Sequence, residues 1–221
     1  MIPLPCDGEK YVGMACCSKV ICRGCDYANI MQEMKERRSP RCPFCREPVA
    51  STKEEVYKRR MKRVEMNDPV AMRNLGIQKR AGGDYSTAFE YLRKAAVQGD
   101  AGAHYELSDM YRCGEGVEKD KGKEIYHIEE AVIGGHPDAR EHLGWMEYWN
   151  HSFERMAKHL IIAATQGSDE AIKSLMNAYT DGLVDKEDLA AALRAHKAAV
   201  DATKSPQREE ADAFYCSMGL M

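Results

Sequence analysis

Four alanines, Ala71, Ala103, Ala139 and Ala171, each stand four residues before a leucine, and these pairs (with Leu75, Leu107, Leu143 and Leu175) recur at spacings of 32, 36 and 32 residues. No other feature constrains the chain so strongly. A repeat of this length is one supersecondary unit that cannot bury its apolar face alone, so it must stack on its neighbours. Leu75 and Leu143 are followed by Gly76 and Gly144, and a second helix in each unit carries Ala95-Ala96, Ala131-Val132 or Ala163-Ala164. These units close at Gly99, Gly135 and Gly167, since glycine suits the left-handed conformation that ends a helix, and an acidic residue soon after each is placed to start the next. The fourth unit's second helix, about Lys186 to Asp201, carries Ala198-Ala199 without a closing glycine. Ser205-Pro206 predicts the start of a last short helix. The four-residue difference in spacing falls between the two helices of a unit, where a loop absorbs it.

Composition excludes several classes. The chain of 221 residues is 44% hydrophobic and 30% charged, the balance of a globular protein and not of a disordered one. Leu160-Ile161-Ile162-Ala163-Ala164 is among its longest apolar runs, far short of the roughly 18 to 20 residues of a membrane span. Met1-Ile2-Pro3-Leu4-Pro5 lacks the basic flank and apolar core of a signal peptide. Secreted, membrane-embedded and strongly basic classes are therefore out, and a cytoplasmic or nuclear protein is expected. The net charge of −3 hides a split: residues 1–66 hold 14 Lys+Arg against 9 Asp+Glu, and the remainder 18 against 26. Lys53–Met66 reads as a basic connecting helix, with Ser51 and Glu54 as a capping box and Val56, Met61 and Val64 as a thin apolar stripe. Its run from Lys58 to Arg63 is a nuclear signal, a phosphate-contacting face or, more plainly, a solvated surface.

Nine cysteines, at 6, 16, 17, 22, 25, 42, 45, 113 and 216, place seven in the first 45 residues. In a chain without an export signal, such clustering points to metal and not to disulfides. Cys22-x2-Cys25 and Cys42-x2-Cys45 lie 16 residues apart, and each such pair bends into a knuckle offering two thiolates to a tetrahedral zinc. The bland alternative is a set of buried free thiols. Two zinc folds fit. One is a single-zinc ribbon of those four cysteines, the other a larger site set that adds Cys16 and Cys17.

Two resemblances follow from these strings. Gly114-Glu115-Gly116-Val117-Glu118-Lys119-Asp120, with the alternating Ala-x-x-x-Leu-Gly and Ala-Ala-x-x-Gly helices, resembles SEL-one-like repeats, relatives of tetratricopeptide repeats. The resemblance covers about Asp68 to Asp201; the first, third and fourth units lack the full loop. Cys16-Cys17 through Cys22-Arg23-Gly24-Cys25, then Cys42-Pro43-Phe44-Cys45-Arg46, resembles the latter two-thirds of a RING finger. That resemblance implies two zincs in a cross-brace, with Cys22 and Cys25 in the first site and Cys16, Cys17, Cys42 and Cys45 in the second. The first two ligands of the pattern are absent, so either the chain is shorter than such proteins or the first site is degenerate; Cys6 is a candidate substitute ligand. Adjacent Cys16 and Cys17 also depart from the usual spaced Cys and His.

The expected fold is thus mainly α, an α-solenoid of helical hairpins preceded by a small RING-like zinc finger. The expected divisions are the finger over 1–50, a connecting helix over 51–67, about four hairpins over 68–201, and a C-terminal capping helix or tail over 202–221. The resemblance implies a finger that docks a ubiquitin-conjugating enzyme through Val20, Ile21, Pro43 and Phe44, with Arg46 contacting ubiquitin, and a solenoid that binds a client protein. Non-enzymatic scaffolding with a merely structural finger is the rival, and nucleic-acid binding by a zinc ribbon a third possibility. For Ile21 and Phe44 the alternative is packing in a very small core; for Arg46 it is a solvated charge. Trp145, Tyr148 and Trp149 are candidate anchors for a partner, although one or two of them are expected to fill the core, as are Tyr111 and Tyr179. His127 and His159 occupy equivalent repeat positions, which favours packing over ligation. No carboxylate pair stands out as a catalytic dyad, and no Gly-Lys-Ser/Thr phosphate loop is present.

Overall fold

The computed structural model describes residues 11–217. The chain divides into two compact units, Met1–Met66 with Val200–Met221, and Asn67–Ala199.

The larger unit is a stack of helical hairpins: α3 (Pro69–Ala81) with α4 (Tyr85–Val97), α5 (Ala101–Cys113) with α6 (Lys121–Ile133), α7 (Pro137–Trp149) with α8 (Phe153–Thr165), and α9 (Asp169–Thr180) followed by α10 (Lys186–Thr203). The repeat alanines are all buried, as are Leu75, Leu107 and Leu175, while Leu143 is partly buried against the Ile128–Met146 cluster. Facing them are Ala88, Leu92 and Ala95 of α4, Ile128 and Ala131 of α6, and Leu160, Ala163 and Ala164 of α8. The residue after each repeat leucine sets how closely the two helices of a hairpin approach. Gly76 lies so near Leu92 that a Cβ there would meet its Cγ at 2.7 Å, and Gly144 lies likewise against Leu160 at 3.3 Å. In the second hairpin the position is Ser108, fully buried, its hydroxyl turned back to donate to the Tyr105 carbonyl at 2.7 Å. In the fourth it is Met176, half-exposed, and here α9 and α10 stand further apart than the helices of the other hairpins. Ala192 and Leu189 of α10 still pack into the last core cluster, and His196 Nε2 reaches Asp169 at 2.9 Å.

Helix starts follow the sequence with two corrections. Asp68, Asp84, Asp100, Asp120 and Asp185 each accept a backbone N–H three residues ahead, satisfying a donor that has no partner inside the helix. The third hairpin starts instead at His136, without a side-chain cap, with Pro137 in the first turn, and α9 is capped by Ser168 and not by an acid. Turns close on left-handed Gly83, Gly99, Gly135 and Gly167, whereas α7 ends through His151 at φ 56°. The loop from Gly114 to Asp120 uses both its glycines in that conformation, and Gly116 lies against the Tyr85 backbone.

In the smaller unit, β1 (Tyr11–Gly13) and β2 (Val20–Cys22) form an antiparallel hairpin that leads into α1 (Arg23–Lys35). After a second turn comes α2 (Lys53–Glu65), whose cap is shifted one residue from the expected Ser51. Thr52 Oγ1 accepts from the Glu55 N–H, and Glu55 Oε2 accepts from the Ser51 N–H. The string Ser51-Thr52-Lys53-Glu54-Glu55 offers both registers; Thr52 takes the cap, and the returning bond from Glu55 goes to the Ser51 N–H one residue before it. Helix α11 (Pro206–Ser217) starts at the expected Ser205-Pro206 and packs on α1, with Ala211 buried, Tyr27 and Phe214 rings 5.1 Å apart, and Arg23 over the Tyr215 ring.

Replacing a glycine in a turn separates two costs. Gly99→Ala adds a Cβ into open space, so only its positive φ is penalised, by about 1 kcal/mol. Gly116→Ala also brings the Cβ to 2.9 Å from the Tyr85 backbone, so its loss of stability in urea unfolding should exceed that of Gly99→Ala by about 1 to 3 kcal/mol. Equal losses would remove the close approach from the account.

Candidate metal centre and partner surfaces

Two six-residue hairpin loops, alike in backbone, bring four thiols together. In the first, the Met14 N–H donates to the Lys19 carbonyl at 2.8 Å and the Ser18 N–H to Met14 O at 2.8 Å, with Ser18 left-handed at φ 56°. In the second, the Cys42 N–H donates to Glu47 O at 2.8 Å and the Arg46 N–H to Cys42 O at 2.9 Å, with Arg46 left-handed at φ 63°. Cys17 therefore corresponds to Cys45, and buried Met14 occupies the place of Cys42. The first loop makes up its second sulfur with Cys16, one residue earlier than Cys17.

The four sulfurs of Cys16, Cys17, Cys42 and Cys45 all lie within 4.8 Å of one another. Cys17 Sγ and Cys42 Sγ are 3.7 Å apart, Cys45 Sγ and Cys16 Sγ 3.3 Å, and all four cysteines are free. A tetrahedral zinc with bonds of about 2.3 Å has sulfur–sulfur edges of about 3.8 Å, so the spacing fits that ion and its all-thiolate donor set. Burial and the neighbouring Cys45 and Cys42 thiols push Cys16 strongly up. Burial also acts to raise Cys42, but the Cys45 and Phe44 backbone N–H groups and the Cys16 and Cys45 thiols outweigh it and bring Cys42 down to about 7. Four crowded thiols thus resist ionising together unless a cation joins them.

Cys22 and Cys25 are not part of this group. Cys22 is buried at the end of β2 and caps α1, its sulfur accepting the Cys25 N–H at 3.4 Å. Burial opposes its ionisation, but that N–H and the Arg208 guanidinium of α11 bring it below the ordinary thiol value, while burial and Cys22 raise Cys25. Arg208 Cγ also comes within 2.7 Å of where a Gly24 Cβ would stand, so the glycine lets α11 lie close. Cys6 lies outside the described residues.

Of the residues expected to meet a partner, Ile21 is half-buried on β2 opposite Val12, and Pro43 is half-buried in the second loop. Phe44 is exposed, with the Lys19 ammonium 5.3 Å from its ring centre, so the tips of the two loops touch. Arg46 is also exposed, and its guanidinium lies 3.8 Å from buried Glu33 of α1. Sequence reasoning missed Glu33, Asn29 and Arg208. A carboxylate at Glu33 reads as surface on α1 until Arg38, Arg41 and Arg46 of the segment that follows are seen beside it.

On the solenoid, Trp145, Tyr148 and Trp149 form a chain of edge-on rings, with Phe153 against Tyr148. Trp149 is 74% exposed and Trp145 40%, while Tyr148 packs on the core, so one of the three fills it. Tyr111 is buried as expected, but Tyr179 is 41% exposed because α10, which would cover it, stands away from α9. His127 packs, stacked on Tyr111, with its Nδ1 3.0 Å from His104 Nδ1. His104 Nε2 is 3.1 Å from the Ala96 carbonyl. A carbonyl only accepts, so His104 donates through Nε2, and one proton lies between the two facing Nδ1 atoms.

No protein-family model and no curated protein matches the chain. Among solved structures it is similar to a Sel1 repeat protein from Oxalobacter formigenes, with a TM-score of 0.58 and 24% identity, over 77% of this chain and 51% of that one. It is also similar to a protective antigen of uropathogenic Escherichia coli strains displaying an SLR fold, with a TM-score of 0.55 and 22% identity, over 76% of this chain and 37% of that one. The matches span about half or less of the length of those proteins. They show the fold: a helical solenoid similar to that of Sel1 repeat proteins.

Burial, with the adjacent His104 and Lys123, lowers His127 to about 4 from an ordinary 6.5. Between these values the unfolded chain binds the proton and the folded chain does not, so solenoid stability falls as pH drops from about 6.5 to about 4 and this residue adds no further loss below. Both tryptophans lie in the solenoid, so urea unfolding followed by tryptophan fluorescence reads it alone. His127→Gln should reduce the pH dependence of the midpoint across that window without abolishing it, since burial also lowers His136, His142 and His159, and an unchanged slope would rule His127 out as a source.

Proposed function

We propose that the N-terminal unit is a zinc-dependent RING-like finger that docks a ubiquitin-conjugating enzyme, and that the solenoid selects the client protein. The observation that carries this reading is which cysteines meet. Cys42 and Cys45 join Cys16 and Cys17, leaving Cys22 and Cys25, which lie between them in sequence, outside the group. Such interleaving is what a cross-brace demands, whereas a ribbon would join Cys22 and Cys25 to Cys42 and Cys45. Nucleic-acid binding through a ribbon loses its structural basis on the same ground.

Zinc held by Cys16, Cys17, Cys42 and Cys45 has four protein ligands and no open position, so it is structural. It fixes the two loops whose tips carry Phe44 and Arg46. The finger would then act by proximity, holding a charged conjugating enzyme in a reactive geometry without a nucleophile of its own. The solenoid supplies an extended stacked-helix surface of the kind that receives proteins or peptides, with Trp145 and Trp149 exposed on it.

A second reading has its own support. Among the described residues Cys22 and Cys25 find no further pair of ligands, which favours a finger that serves only to fold its own unit within a scaffold.

Elemental analysis of chelator-washed protein should give one zinc per chain from the four-thiol group, and Cys42→Ser should abolish it; a second equivalent would bring Cys22 and Cys25 in as ligands. Ubiquitin discharge from a panel of charged conjugating enzymes to free lysine separates the two readings. Acceleration that Arg46→Ala reduces supports docking. No acceleration by any of them, with zinc present, leaves the scaffold.

A further inference from the structure

The second loop is held from α1 by two polar ties. Asn29 Nδ2 donates to the Arg41 carbonyl at 2.8 Å, fixing the backbone just before Cys42. Glu33, one turn further along α1, has a side chain that is only 5% exposed. Its Oε2 accepts from Arg38 Nε at 2.9 Å, its Oε1 lies 3.8 Å from Arg46 Nη1, and Arg41 adds a third positive charge to its surroundings. A buried carboxylate needs such partners, because an unpaired charge there is costly. Arg46 needs the carboxylate for a different reason. Its guanidinium is 67% exposed at the end of a long flexible stem, and the left-handed turn fixes only where that stem begins.

We propose that Glu33 is a positioning residue: from within α1 its buried carboxylate attracts the Arg46 guanidinium and biases it toward α1 beside the Cys42–Cys45 loop. What Arg46 does there, contacting ubiquitin, rests on the docking reading above; the positioning itself does not. Arg38 holds the other oxygen and keeps Glu33 in place, so one acid links the end of α1 to the residue that follows Cys45.

The test uses the full zinc-loaded chain labelled with nitrogen-15. The Nε–H signal of Arg46, assigned by its loss in Arg46→Ala, should be displaced from the position of solvated arginines. Glu33→Gln should return it there with zinc per chain unchanged, and Glu33→Asp, one methylene shorter, should move it part of the way. A signal that stays put in both variants overturns the proposal; if the Gln variant fails to fold, the Asp variant alone decides. In ubiquitin discharge, Glu33→Gln should lower the rate by about fivefold, and should add nothing to Arg46→Ala. A Glu33→Gln loss that persists in full in the Arg46→Ala background would mean a general structural role and overturn it too. If the signal moves as expected while the wild-type chain accelerates no discharge, the docking reading falls and the positioning of Arg46 stands.

Discussion

Four sulfur atoms from two hairpin loops meet in a unit that has almost nothing else to hold it. Among its described residues, the buried apolar side chains are Met14, Cys22, Cys42 and Ala211, far too few to offset the entropy of ordering its loops and helices. Metal is the common remedy at this size, since binding of a structural zinc supplies about 10 to 16 kcal/mol in zinc-finger peptides. On the proposed reading, the rest of the unit depends on that closure. Once the loops are pinned, α1 can tie down the backbone at Arg41 and the side chain at Arg46, and α2 can fasten Pro48, whose carbonyl accepts from Arg59. Helix α11 then covers the start of α1 with Arg208, Ala211, Phe214 and Tyr215, so residues distant in sequence complete the smaller unit.

The solenoid is held by the opposite means. Its core is built of small side chains repeated at fixed positions, and stability accrues from one hairpin to the next. Polar ties run along the stack as well. Asp100 both caps α5 and takes Arg73 of α3 at 2.9 and 3.0 Å. Arg80 gathers Glu106, Asp109 and Glu115 from the next hairpin at 2.9, 3.0 and 2.5 Å. Where the small residue after the repeat leucine gives way to Met176, the last hairpin opens and Tyr179 is uncovered.

These two modes explain what the sequence did and did not disclose. Hairpin packing is periodic, so Ala71, Leu75, Gly76 and their counterparts announced it, and the Gly114–Asp120 loop behaved as its glycines require. Capping is local but degenerate, which is why Thr52 could displace Ser51 and Ser168 an acid. The contacts of the smaller unit are neither periodic nor local. Arg208 reaching Cys22, Tyr215 reaching Asp26 at 3.4 Å, and Glu33 facing Arg46 each depend on a tertiary approach that no spacing encodes. Tyr179 shows the same limit from the other side, because an aromatic at helical spacing reads as core until its neighbours fail to cover it.

The cysteines give the sharpest instance. By spacing alone, Cys22-x2-Cys25 and Cys42-x2-Cys45 are the matched pair, and adjacent Cys16-Cys17 looks irregular. Backbone geometry reverses the order. Cys16 and Cys17 sit in a loop built like that of Cys42 to Glu47, while Cys22, leaving β2, has its sulfur engaged as the cap of α1. A CxxC string states that two thiols can bend toward one point. Which other thiols share that point is decided by the strand pairing that places the loops, here Gly13 opposite Val20 on one side and Arg41 opposite Pro48 on the other. The abundance of clustered thiols is therefore legible in the residues, and which of them meet belongs to the fold.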